Sequence, residues 1–200
     1  EMPGLYKPGD FDLAGTIVGI VDIAEIPNKE RVAADDAIVG LPSVGLHTNG
    51  YTLARALIAP EEFAQPFDGA TFGDVLLAPH PTYAAEVRAI QKVADVKAMA
   101  HITGGGLIDN VPRTLPASCT AEFEQARWSV PAIMTELVRR GNLGYEERYR
   151  TLNMGIGYTL IVPRTDAAKA IAAVPSAKIV GFVSQRQTGG PAVVVHPAHT

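Results

Sequence analysis

The feature that most restricts how this chain folds is a pattern used twice. An apolar run of strand length passes through a glycine-rich turn straight into residues at helical spacing. In the first copy, residues 37–41 lead into Pro-Ser-Val-Gly-Leu-His-Thr-Asn-Gly at 42–50, and Leu53, Ala54, Leu57 and Ile58 follow at helical spacing. In the second, Val96, Ala98, Met99 and Ala100 lead into His-Ile-Thr-Gly-Gly-Gly at 101–106, and Leu107, Ile108 and Val111 follow before Pro112 stops the helix. Glycine reaches φ > 0 and has no side chain to keep a ligand away. The first N–H groups of a helix have no partner inside it. Such a turn therefore suits a phosphate or a carboxylate, and Arg113 adds a cation able to bind one in bidentate fashion. The competing reading is a tight turn that lets two elements pack closely. His47 is a candidate proton carrier or substrate hydrogen-bond partner, and Asn49 is either a ligand contact or a helix cap. His101 is either functional or a satisfied, partly buried histidine.

The rest of the chain supplies strands and helices around these turns. Residues 12–23 are rich in β-branched residues and predict a long strand, followed by a turn at Ile26-Pro27-Asn28 where a domain boundary is expected. Residues 60–78 read as a surface excursion. Tyr83, Val87, Ile90 and Val93 form one apolar stripe on a helix over 82–93. Strands are expected at 119–123, 153–162 and 179–183. Helices are expected after Pro131, with Gly141 as the stop and Ile133, Met134 and Leu137 facing the core, and also at 145–149 and 165–173. Gln187-Thr-Gly-Gly-Pro191 predicts a hairpin-like turn returning through 192–195. Gly155 and Gly157 open a strand instead of following one, which rejects a dinucleotide fingerprint. The expected class is α/β in the broad, α+β sense: a mixed, largely antiparallel sheet covered by helices.

Several function classes are disfavoured. A net charge of -4 argues against a general nucleic-acid or membrane-surface binder. No apolar run is long enough to span a bilayer, and no signal peptide is seen ahead of the first expected strand. The single cysteine, Cys119, permits no internal disulfide and points to a reducing, cytoplasmic setting, where it serves as a small strand residue. No zinc-type Cys/His spacing, phosphate-loop lysine or nucleophile elbow is present, and no metal ligand is assigned. Glu1 precedes the first methionine, so the chain is expected to open within a loop that continues upstream.

A resemblance carries the reading further. The chain resembles the phosphoribosylformylglycinamidine cyclo-ligase (AIR synthetase) family of purine synthesis. The likeness runs through EMPGLY at 1–6, DLAG at 12–15, VGLHTNGYTLAR at 44–55, LLAPHPTY at 76–83, AHITGGGLIDNVPR at 100–113, YRTLNMGIGY at 149–158 and IVGFV at 179–183. It implies two domains, of which residues 1–27 are the last loop and strand of an N-terminal ATP-binding domain and 28–200 the C-terminal domain. It implies a reaction in which ATP phosphorylates the formamide oxygen of formylglycinamidine ribonucleotide. A nitrogen of the amidine side then closes the imidazole ring, releasing ADP and phosphate and giving aminoimidazole ribonucleotide. Mg2+ and most of the ATP site are implied for the absent N-terminal domain, as is the homodimer interface, so the fragment alone is expected to be inactive.

The resemblance implies His47 and His101 as the catalytic candidates. As substrate- and phosphate-binding residues it implies Glu1, Ser43, Gly45, Thr48, Asn49, Gly50, Thr103, Gly104, Gly105, Gly106, Asn110 and Arg113. The first turn departs from the family pattern: Val44 stands where a second serine is usual, and Thr48 where serine is usual. The alternatives are a non-catalytic module that holds a phosphorylated ligand, or another ATP-dependent enzyme of the same superfamily. Without its sheet neighbours, the 12–23 strand is expected to lie exposed or to be recruited into a new dimer.

Overall fold

A computed structural model describes residues 9–11 and 13–198. In chain order its elements are β1 (Ala37–Pro42), α1 (Tyr51–Leu57), β2 (Pro66–Phe67), β3 (Ala70–Thr71), α2 (Phe72–Leu76), α3 (Ala84–Gln91), β4 (Ala98–His101), α4 (Gly106–Asn110), β5 (Cys119–Glu124), α5 (Ala132–Gly141), α6 (Tyr145–Thr151), β6 (Ile156–Val162), α7 (Ala167–Ala173), β7 (Lys178–Gln185) and β8 (Val193–His196). Six strands form one sheet in the order β4-β6-β1-β7-β5-β8. Every pairing in it is antiparallel except β5 with β8.

Helices cover both faces, which is why β1 reads as continuously apolar. Ala37, Val39 and Leu41 join Val87 and Ile90 of α3 and Ala167 and Ala170 of α7 in one core. Ile38 faces the other core, with Ala54 of α1, Leu107 of α4, Ile133, Met134 and Leu137 of α5, and Tyr149 of α6. In that second core Trp128 lies edge-on to Phe123 and its indole N–H donates to the Met154 carbonyl at 2.9 Å. Cys119 is a buried, free strand residue, as its alternating neighbours suggested.

Four expectations are corrected. Residues 13–22 form no strand, and Leu13, Ile17, Val18, Ile20 and Ile23 are exposed; a short 3-10 turn, Ile23–Glu25, follows. Their β-branched composition favours an extended backbone, but a strand needs a paired neighbour, and none of the six sheet strands takes that role. Residues 60–78 are more than an excursion. They hold the β2–β3 hairpin and α2, capped reciprocally by Thr71 and Asp74, with Phe72 and Leu76 buried. The turn at 187–191 does not make a β7–β8 hairpin. Both edges of β7 are already paired, with β1 and β5, so β8 passes on to the outer edge of β5 and lies parallel to it. Of the α3 stripe, Tyr83, Val87 and Ile90 are buried, while Val93 lies past the helix end and is 41% exposed.

Candidate functional site

The sheet order brings the two glycine turns together. Strands β1 and β4 flank β6 on either side and both run antiparallel to it. Their C-terminal ends therefore emerge at the same edge, beside the start of β6. Ser43 N–H donates to the Gly155 carbonyl and Ile102 N–H to the Gly157 carbonyl, both at 2.9 Å, so each turn is pinned to the same three residues of chain. The turns touch: a Cβ placed on Gly104 would sit 3.2 Å from Asn49 Oδ1.

Each turn is held by a buried asparagine. The Asn153 amide N–H donates to the Gly45 carbonyl at 2.9 Å, and its Oδ1 accepts from Ser43 Oγ at 2.7 Å and from Gly155 N–H at 3.0 Å. The Asn110 amide donates to the carbonyls of Gly106 at 2.8 Å, Gly104 at 3.2 Å and Thr103 at 3.3 Å, while its Oδ1 accepts from Thr103 Oγ1 at 3.1 Å. The side chains of Ser43, Thr103 and Asn110 are thus engaged in shaping the turns. Gly50 caps α1 at φ 89°, which leaves Asn49 free of the capping role. Gly105 caps α4 at φ 98° and Gly106 follows at φ 56°. Thr48 is exposed, Gly45 is buried, and Arg113 is exposed on the 3-10 segment after α4. Glu1 lies outside the described residues.

Beside the turns three imidazoles gather. His47 and His80 stack with ring centroids 4.0 Å apart and planes 13° from parallel. His80 Nε2 lies 3.1 Å from His101 Nε2. Tyr83 closes the inner side: its hydroxyl donates to the Pro42 carbonyl at 3.0 Å and sits 3.4 Å from His47 Nε2. Tyr158 stacks on His101 with centroids 5.8 Å apart. Outside the rings is an open cavity of about 560 Å³ lined by His80, Thr82, Tyr83, Val87, His101 and Tyr158. The space for Tyr83 and His47 depends on Gly157, where a Cβ would meet the Tyr83 hydroxyl at 1.8 Å and His47 Cε1 at 2.7 Å.

His80, Tyr83 and Tyr158 escaped the residue-by-residue reading, although all three lie within the family-like blocks at 76–83 and 149–158. Nothing local marks a histidine on the irregular segment before α3 as the neighbour of two others. Asn153 escaped it too. An asparagine just ahead of an apolar, strand-like run was the available signal.

The electrostatics favour neutral rings at His47 and His101. Burial, then the neighbouring His80 and His101, push His47 down from 6.5 to about 4. Burial and His80 push His101 down as well. His47 is 4% exposed, takes φ 61° and leaves its Nδ1 buried without a hydrogen-bond partner. A left-handed non-glycine residue costs about 1–2 kcal/mol, and such strain concentrates at functional sites. At pH 7 His47 and His101 offer lone pairs and N–H donors, not positive charge.

This arrangement makes stability depend on pH. Above pH 6.5 His47 is neutral folded or unfolded and contributes no slope. Between 6.5 and about 4 the unfolded chain takes up a proton that the folded chain refuses, so the fold loses stability as pH falls through that window. With water at the outer rings screening part of the effect, we expect a loss of about 2 kcal/mol between pH 7 and pH 4. Urea unfolding at a series of pH values checks this, and His47→Gln should remove the His47 part of the slope while the smaller part from His101 stays.

Comparisons with known proteins agree with this architecture. Residues 33–194 match the family described as AIR synthase related protein, C-terminal domain. A phosphoribosylformylglycinamidine cyclo-ligase of Anaeromyxobacter sp. (strain Fw109-5) is 47% identical over 177 residues, covering 86% of this chain and 52% of that protein. One from Chromobacterium violaceum is 39% identical over 196 residues, covering 94% of this chain and 57% of that protein. The chain thus spans about half the length of the curated relatives it matches. Among solved structures, E. coli HypE, a hydrogenase maturation protein, superposes with a TM-score of 0.55 at 18% identity, covering 84% of this chain and 48% of its own. A thiamine-monophosphate kinase from Stenotrophomonas maltophilia superposes with a TM-score of 0.56 at 16% identity, covering 88% of this chain and 54% of its own. At that identity the likeness speaks for the fold alone. None of the helices among the described residues is long and apolar enough to cross a membrane. With a family match over most of its length and the mixed, helix-covered sheet in place, the chain belongs to the AIR synthase related protein family, as a C-terminal domain of that family.

Proposed function

We propose that this chain is the C-terminal half of an ATP-dependent phosphoribosylformylglycinamidine cyclo-ligase, and that the edge of the sheet where the two glycine turns meet is its half of the active site. The observation that carries the proposal is that convergence. Two turns more than fifty residues apart in sequence touch through Gly104 and Asn49, with His47 and His101 beside them. On this reading residues 1–27 belong with the preceding ATP-binding domain, and the homodimer forms through that domain. The family-like blocks and the relatives at 39–47% identity support the reading.

The residues divide the work by environment. The glycine turns present backbone to phosphate groups of formylglycinamidine ribonucleotide and of ATP, and such a site acts mainly by positioning and charge stabilisation. His47, buried and neutral, holds the inner wall and is too weak a base to carry a proton at pH 7. His101, at the open cavity, takes the proton that the attacking nitrogen loses as the ring closes. Mg2+ prefers oxygen ligands. Among the described residues the one close group of metal-type donors is imidazole, which does not fit that ion.

The test joins the chain to the N-terminal half of a curated relative and measures ADP release with ring closure. The chain alone should give no turnover and the chimera should turn over. His101→Ala in the chimera should lower kcat about 100-fold or more. A folded chimera that binds both substrates without closing the ring would favour the non-catalytic module instead.

A further inference from the structure

We propose that His47, His80 and His101 form a binding site for a first-row divalent transition metal ion, with Zn2+ the best match. The three residues come from separate parts of the chain: the turn after β1, the irregular segment before α3 and the end of β4. One ring nitrogen from each lies within 4.8 Å of the other two. The His80 and His101 Nε2 atoms are 3.1 Å apart. Two nitrogens on one tetrahedral zinc, each about 2.0–2.1 Å from it, are about 3.3 Å apart. The cluster is therefore already close to the spacing that a metal imposes.

Three further observations point the same way. His47 Nδ1 is buried and has no hydrogen-bond partner among the described residues, an arrangement that costs free energy unless something supplies the partner. The His47 Nε2 faces the Tyr83 hydroxyl, itself fixed on the Pro42 carbonyl, which is the kind of outer partner that orients a ligating imidazole. No lysine or arginine stands among the residues lining the cavity, so no fixed cation opposes a bound one. Imidazole donors select zinc, cobalt, nickel and copper over magnesium and calcium. His80 and His101 both border the open cavity, which leaves a fourth position to water or to a ligand oxygen, as in zinc sites with three protein ligands.

The two outer rings must turn slightly for their lone pairs to converge. His80 sits on a segment with no helix or strand, and His101 is exposed at a strand end, so both have that freedom. The inference stands on side chains within this domain and not on the cyclo-ligase reading; His101 accepts a proton only in the metal-free chain, because a metal on its Nε2 occupies the lone pair a base would use.

The experiment is a titration of the untagged 200-residue chain with Co2+ at pH 7.5, followed by visible absorption, and then with Zn2+ as competitor. The expected result is one Co2+ per chain, with the intense bands of a four-coordinate site, displaced stoichiometrically by Zn2+. His80→Ala and His101→Ala should each weaken binding at least about tenfold, while His196→Ala, which removes an imidazole paired with Glu122 away from the cluster, should change nothing. Histidine ring-proton NMR of the wild-type chain gives a readout that needs no variant: Co2+ should broaden the resonances of His47, His80 and His101. The proposal is overturned if no such band forms, if the broadened histidines are others, or if binding survives His80→Ala and His101→Ala but is lost in His196→Ala.

Discussion

Gly106→Ala is expected to cost more than about 4 kcal/mol, a large fraction of the about 5–15 kcal/mol by which whole domains are stable. A Cβ at this position would lie 2.0 Å from the Tyr149 carbonyl oxygen and 2.8 Å from that of Leu152. Both are backbone atoms of α6 and its exit, so no side-chain rotation relieves the clash. The residue also sits at φ 56°, which alanine adopts only at a cost. Relief would require α4 to move off α6, opening the buried packing of Leu107 against that side of the sheet. Circular dichroism with urea unfolding is the check. Gly144→Ala is the control: φ is −58° and nothing lies within 4 Å of its added Cβ, so it should cost no more than about 1 kcal/mol, the penalty for alanine as the cap of α6. Gly104→Ala lies between, because its Cβ presses on the Asn49 side chain rather than on backbone. If Gly106→Ala unfolds at the same urea concentration as the wild type, the close contact of the glycine triplet with α6 is wrong.

The second large effect is Asn153→Leu, expected to cost about 3–5 kcal/mol. Asn153 is 6% exposed and joins the Gly45 carbonyl, the Ser43 hydroxyl and the Gly155 N–H. Leucine is close in size but leaves all three groups buried without their partner, and each such loss costs about 1–3 kcal/mol. The same substitution leaves the first glycine turn held to the start of β6 only through the Ser43 N–H bond to the Gly155 carbonyl, so the separation of His47 from His101 should be less firmly set. Equilibrium unfolding reads the first consequence, and amide exchange at residues 43–50 reads the second. A variant of wild-type stability with protected amides there would show that the asparagine is not the clamp. Ser43→Ala, which removes one hydroxyl from the same group, should cost only about 1 kcal/mol.

Much of the fold was legible because it depends on local chemistry. The run at 37–41 became β1, the spacing of Ile133, Met134 and Leu137 became the buried face of α5, and Pro131 and Gly141 bounded that helix. The two glycine turns were legible for the same reason, since left-handed positions such as Gly50 and Gly105 constrain which residue can occupy them. Residues 13–22 show the limit of that reasoning. Their composition is as strand-like as that of β1, but none of the six sheet strands pairs with them and they lie exposed.

The sequence by itself determined which segments are strands and helices in the core of the domain, where the glycine turns fall, and which family the chain resembles, because periodicity, φ restrictions and ordered motifs are properties of neighbouring residues. The tertiary structure alone decided that β8 adds to β5 instead of β7, because the β7 edge was already filled. It also decided that His80 stands between His47 and His101, and that Asn110 and Asn153 spend their amides on the turns. Those facts follow from β1 and β4 flanking β6, both antiparallel to it, and strand order is set by how the whole chain buries its two apolar faces, which no short window of residues contains.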